Sequence, residues 1–448
     1  MFAKHKKIKI TGIIILAIAI LFVLQDIFLA PPDKKFLFRP ESIQTALPAQ
    51  NQNDATSAKP ADHGMDFPAD VTSCGAKKDI FSVSPIKPSS ISYIEPLGHV
   101  NPTGHVFPIN HLYMYLPLDD QRTALKTDVF SPGDITVFKI ERFRYFSDQS
   151  RKNLLRTDYT LSFSPCSDIS GFFYHLTSLS DKLLNSFVSP FDYCNNVTAG
   201  DEIFESCGKS VDIKLSAGEK IGTAGGEQRG SQALDWVLED FGAKPLEYAN
   251  DSRFSPITGQ NYSRQIVCPL DYFTSGLRNS LYRLLGGYPI DNPFTAISKR
   301  TAAPLCGTTA QDVSGTAQGN WFAEKTPSSN FSEDPNLALV HDDVDTKIGV
   351  FSMGTSMSSK GLEGGAYYFT PLHLGSVNRD FDEVKADGNV YCYDVNKKLY
   401  SNVDAAPPRS AVILQLISPD EINVERLNAD ACGSGPWKFS SASQIYYR

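Results

Sequence analysis

The chain has 448 residues, 41% hydrophobic and 21% charged, which are values of a globular protein long enough for two or three domains. A net charge of −8 argues against nucleic-acid binding and against broad adhesion to anionic lipid. Phe (28) and Tyr (19) are plentiful, Met (5) is scarce, and Gly, Pro and Ser recur at short intervals, so mainly β architecture is expected.

The N-terminus predicts a membrane segment. Lys4, Lys6, Lys7 and Lys9 precede an apolar run from Ile10 to Leu24, which Ile27 to Ala30 extend toward the ~20 residues a bilayer core requires. The cationic flank places residues 1–9 in the cytoplasm and the rest outside. No small-x-small site follows and Pro31-Pro32 hinders cleavage, so residues 10–30 read as a transmembrane signal anchor, with a cleaved signal peptide as the alternative. The expected localisation is a single-pass membrane protein whose bulk is periplasmic or at the cell surface. Residues 31–73, rich in Pro, Ala, Gln, Asn, Asp and Ser, read as a flexible tether.

All eight cysteines lie beyond the apolar run and none forms C-x-x-C, which points to disulfides in an oxidising compartment. Sequence neighbours suggest Cys194–Cys207, Cys268–Cys306 and Cys392–Cys432, leaving Cys74–Cys166, among the ~105 pairings that stay open.

Residues 74–244 alternate like strands in Ser90–Ile94, His111–Leu116, Asp128–Phe130, Ile135–Ile140, Asp158–Phe163 and Gly171–Leu176. Val211, Ile213 and Leu215 then alternate, Ser216-Ala217-Gly218-Glu219 turns, and Lys220, Ile221 and Gly222 resume, which predicts a hairpin. A Gly-rich loop leads to the return strand Ala233–Leu238. Inside that apolar strand stands Asp235, which needs a partner, because burying a carboxylate alone costs several kcal/mol. Residues 245–302 read as a connector with one helix over Asp271–Leu285, ended by Gly286-Gly287. Residues 303–448 hold roughly eight short strands with turn chemistry between them, indicating an antiparallel barrel or sandwich.

In residues 100–240 the order of elements resembles the lysostaphin-type zinc endopeptidases: His111 in FPINHLYMY, a strand pair around S-P-G-D, Tyr174-His175-Leu176, the turn S-A-G-E-K-I-G, a Gly-rich loop and a final strand. The resemblance implies a lipoyl-like hybrid β domain with zinc on H-x-x-x-D and on the second His of a late H-x-H, and an upstream catalytic His. Carried onto this chain, His111 fits the first ligand and His175 the catalytic His. Tyr115 stands in place of the Asp, and Ala233-Leu234-Asp235 in place of H-x-H. A catalytic zinc site takes three protein ligands, and only His111 and Asp235 remain as candidates. A His111–Asp235 or His175–Asp235 pair would satisfy both partners without metal.

The other motifs are weaker. His99 and His105, flanking Pro102-Thr103-Gly104, match no familiar ligand spacing and read as structural or solvent-facing. Gly222 to Gly226 lacks a P-loop pattern, and Ser231 has no G-x-S-x-G context, which argues against a serine hydrolase. Gly319-Asn320-Trp321 resembles the start of a lipocalin-type barrel, and Arg379 is expected to pair with Asp380 or Asp382. The expected function is non-catalytic: a peptidase-like domain binding a cell-wall glycopeptide or related envelope ligand through His111, Tyr115, His175 and Asp235, without a cofactor. Alternatives are a zinc peptidase with a remodelled site and a carrier of an apolar molecule in the C-terminal barrel.

Overall fold

The computed structural model describes residues 72–199, 202–227, 230–254, 264–292, 295–326, 332–399 and 406–448. The expected anchor, residues 10–30, lies outside the described residues, as does nearly all of the tether. The single-pass membrane localisation is corrected here: no helix among the described residues is long and apolar enough to cross a membrane. Helix α1 (Asp181–Ser186) has 6 residues and α2 (Ser275–Tyr282) has 8, whereas a span takes about 20. Cys74–Cys166, Cys194–Cys207, Cys268–Cys306 and Cys392–Cys432 are disulfide-bonded, which fits an extracellular protein.

The architecture is mainly β. A 10-stranded antiparallel sheet contains β1 (Tyr93–Glu95), β2 (Leu112–Tyr115), β3 (Thr127–Phe130), β4 (Ile135–Phe146), β5 (Leu154–Cys166), β6 (Ile169–Leu179), β7 (Tyr193–Ala199), β8 (Glu202–Leu215), β9 (Lys220–Ala224) and β10 (Ala233–Asp240). Its order is β1-β2-β10-β6-β5-β4-β8-β7, with β3 and β9 paired beside that path. Trp236, Phe173, Phe163, Phe81 and Phe273 are fully buried against one another at its centre.

The expected hairpin of Val211 to Gly222 is corrected. The turn forms, with Gly218 at φ +78° and Glu219 N–H donating to Ser216 O, but β8 and β9 do not pair. The β3–β4 turn stacks on it through Ser131 N–H to Glu219 O and Gly218 N–H to Ser131 O. Each strand then takes a partner from the other connection, β8 with β4 and β9 with β3. Alternation shows that two strands flank a turn, but it does not name their partners.

Strand β6 forks. Its first part pairs with β10, ending at Tyr174 opposite Asp235, and its second part pairs with β9, from Leu176 opposite Ala224. His175 lies at the fork with φ +67°, a left-handed conformation uncommon for a non-glycine residue.

The expected connector helix is shorter than its apolar spacing suggested. A 3-10 turn over Pro269–Tyr272 precedes α2, and Gly286–Gly287 forms β11, paired with β12 (Ser298–Lys299). The C-terminal 8-stranded antiparallel sheet runs in sequence order through β13 (Gly319–Trp321), β14 (Leu337–His341), β15 (Gly349–Met353), β16 (Gly365–Phe369), β17 (Tyr391–Lys397), β18 (Arg409–Ser418), β19 (Glu421–Arg426) and β20 (Gln444–Tyr447). Phe322 and Tyr447 exchange backbone hydrogen bonds, which brings the ends together into a nearly closed barrel. Trp321, Phe351, Phe369, Phe381, Tyr393 and Tyr446 fill the interior, with neighbouring rings about 5 Å apart. Arg379 pairs with Glu383 at 2.7 Å rather than with Asp380 or Asp382, because the 3-10 turn Phe381–Glu383 places Glu383 one turn away.

One apolar cluster joins the barrel to the first sheet: Val106 and Phe107 pack with Tyr248, Phe254, Phe322, Val340 and Val350. Phe107→Ala removes the ring at its centre and is expected to cost about 3–5 kcal/mol. Urea unfolding followed by Trp fluorescence tests this, since Trp236 reports the first sheet and Trp321 and Trp437 the barrel. Both should shift to lower urea together; a shift confined to one transition would show that the sheets unfold independently.

Candidate functional site

The fork in β6 sets the geometry of the site. Side chains alternate across a regular strand, so Tyr174 and His175 would face opposite sides. The left-handed backbone at His175 interrupts that alternation, and its ring reaches Asp235 on β10. His111 precedes β2, the other neighbour of β10. Thus His111, His175 and Asp235 meet: Asp235 Oδ2 lies 3.4 Å from His111 Nε2 and 3.3 Å from His175 Nε2. His111 Nδ1–H donates to Asn110 Oδ1 at 3.0 Å, which leaves a lone pair on Nε2. His175 Nδ1–H donates to Asp158 Oδ2 at 2.7 Å. Among the described residues, His111 Nε2 and Asp235 Oδ1 have no hydrogen-bond partner.

Tyr115 stands apart from this group. Its ring stacks on Tyr93 at 4.5 Å and its hydroxyl is hydrogen-bonded to Glu95. The ring beside His111 is instead that of Tyr113, 4.7 Å away. His99 and His105 are neither solvent-facing nor remote. His105 is buried with its ring 5.8 Å from that of His111 and its Nδ1 3.8 Å from Glu333 Oε2. His99 lies between Glu95 and Asp343.

Burial disfavours charge on both central imidazoles, and two carboxylates on one of them set their protonation apart. For His111, desolvation dominates, helped by the charges of His105, His175 and His99, and its pKa falls well below the ordinary value, so the ring stays neutral. Desolvation also works against charge on His175, but Asp158 and Asp235 overcome it and hold that imidazolium at about 10. Asp235 is raised by burial, and His175 opposes the shift. One carboxylate therefore sits between a neutral imidazole and a charged one.

The zinc implied by the peptidase resemblance does not fit these residues. Burial and nearby acids hold the Tyr115 phenol well above its ordinary pKa, so it offers no phenolate. The donor atoms of His111, His175 and Asp235 are not among the described groups that converge within 4.8 Å, which are Cys74–Cys166–Asp168 and Glu95–His99–Asp343. The first of those has its sulfurs bonded to each other.

Sequence reasoning missed Asp158, Glu95, Glu333 and Asp343. Asp158 carries the same signal as Asp235, a carboxylate in a strand pattern. Glu333 reaches Phe107 N–H from 226 residues away, so no local pattern could place it.

No family model matches this chain. A curated relative, esterase alnB of Emericella nidulans, is 32% identical over 167 residues, covering 35% of this chain. The chain spans 55%, about half, of that relative's length.

A pH dependence follows from His175. Its folded pKa is raised, so its stabilising contribution is fully present below the ordinary value of about 6.5 and is lost as pH rises through about 10. Asp158→Asn should flatten the decline in urea midpoint across that window. Parallel pH curves for variant and wild type would contradict the pairing.

Proposed function

We propose that this chain is an extracellular ester hydrolase in which His111 is the general base, Asp235 balances the imidazolium that forms on it and His175 supplies fixed positive charge. One observation carries the reading: two imidazoles of opposite protonation flank a single buried carboxylate, and such environment-driven splitting assigns acid and base roles. The relative named an esterase supports an ester as the substrate class. His111 Nε2 takes a proton from water as the water oxygen bonds the acyl carbon, and Asp235 stabilises the imidazolium that forms. The acyl C–O bond then breaks, and His111 returns the proton to the departing oxygen. His175, with 16% of its side chain exposed against 8% for His111 and 3% for Asp235, marks the side from which substrate approaches.

A second reading keeps the lysostaphin-type frame without catalysis, as a recognition domain for a cell-wall glycopeptide. Tyr115 favours it, since a stacked and protonated phenol replaces the metal-binding carboxylate of that family.

Hydrolysis of p-nitrophenyl acetate and butyrate by the purified chain separates the two. His111→Ala should lower turnover by roughly 10²–10⁴-fold with the circular dichroism spectrum unchanged, and Asp235→Asn should lower it as well. Undiminished turnover in His111→Ala, or a wild type that binds glycopeptide but turns over no ester, would contradict the hydrolase.

A further inference from the structure

We propose that Glu95, His99 and Asp343 form a binding site for a first-row divalent cation at the joint between the first sheet and the barrel. His99 Nδ1 lies 3.4 Å from Glu95 Oε1 and 3.2 Å from Asp343 Oδ1, and one donor atom from each residue lies within 4.8 Å of the others. Donors bonded tetrahedrally at zinc-like lengths stand about 3.3–3.5 Å apart, so little movement is needed to close them on an ion.

An independent feature points to a ligand there. Asp343 is only 5% exposed, yet its Oδ2 has no hydrogen-bond partner among the described residues. A buried carboxylate oxygen left unsatisfied calls for an explanation, and an ion is one. Gly287 packs closely on the group, since a Cβ there would come within 3.1 Å of Glu95 Oε1.

The donors are held by backbone from both sides of the joint. Glu95 ends β1 opposite Tyr113, and the His99 carbonyl accepts from Ile109 N–H. Asp343 follows β14 in a turn where Asp342 Oδ1 accepts from Val344 and Asp345 N–H. Two cations lie near the group: Arg300 donates to the backbone carbonyl of Asp343 and feels its carboxylate, and Lys398 acts on Glu95 and His99 through its charge. One imidazole nitrogen with two carboxylates suits Mn²⁺, Fe²⁺ or Zn²⁺ better than Ca²⁺, which takes 6–8 oxygens. The Tyr113 ring, 6.1 Å from the His99 ring and 4.7 Å from that of His111, separates this group from the His111–Asp235–His175 cluster.

Calorimetric titration of the chelator-treated full chain with ZnCl₂ and with MnCl₂ tests the site. The expected result is saturable uptake of a single equivalent of at least one metal, with a higher melting temperature. Glu95→Gln and Asp343→Asn should each weaken uptake by more than the roughly 10- to 100-fold that loss of a supporting partner costs, while Asp235→Asn leaves it intact. Absence of saturable uptake in the wild type, with melting unchanged by either metal, would overturn the proposal and leave a proton on His99 as the balancing charge. Uptake lost in Asp235→Asn but kept in Glu95→Gln would overturn it too.

Discussion

The structure is organised around a carboxylate where an apolar side chain would cost nothing. Asp235 is 2% exposed in a strand whose every residue is buried, next to Trp236 at the centre of the first sheet. Leaving one partner of a buried charge pair uncompensated costs about 3–5 kcal/mol, so the surrounding chain must supply counter-charge, and His175 does. Reaching Asp235 requires a left-handed residue at the fork of β6, a conformation that costs roughly 1–3 kcal/mol. Asp158 fixes the far side of that ring at 2.7 Å. Strain, fork and ion pairs form a single arrangement, and the neutral His111 beside it keeps a base's lone pair on Nε2.

The same logic extends across the joint between sheets. Glu333 and Asp343 flank β14, yet they meet His105 and His99 from the chain that precedes β2. These polar contacts lie beside the apolar cluster of Phe107, Phe254 and Phe322. The apolar cluster supplies non-directional burial energy, and the buried charge pairs fix the orientation in which that burial occurs. The barrel thereby contributes to the surroundings of the site although no barrel strand carries His111, His175 or Asp235.

Much of the fold was legible. Period-2 alternation located most strands of the two large sheets, though not β7, β11 or β12, because half-buried antiparallel strands print their two faces on the sequence. Local cysteine neighbours led to the pairing that forms. Partner choice was not legible: β8 and β9 look like a hairpin, yet two stacked turns send them to β4 and β3. Asp235 announced itself as a charge in an apolar strand, and His111 and His175 through the resemblance. The handedness of His175, the retreat of Tyr115 onto Tyr93 and the arrival of Glu333 depend on tertiary contacts that no local window contains.

The central claim is that the two imidazoles beside one buried carboxylate hold opposite protonation states, His111 through its desolvation and His175 through Asp158 and Asp235. Nitrogen-15 NMR of histidine-labelled protein, assigned with His111→Gln and His175→Gln, reads both rings directly across a pH titration. The account predicts that His175 keeps both ring protons well above the ordinary value of about 6.5, while His111 remains neutral with its proton on Nδ1 well below it. Both rings titrating together near the ordinary value would contradict it.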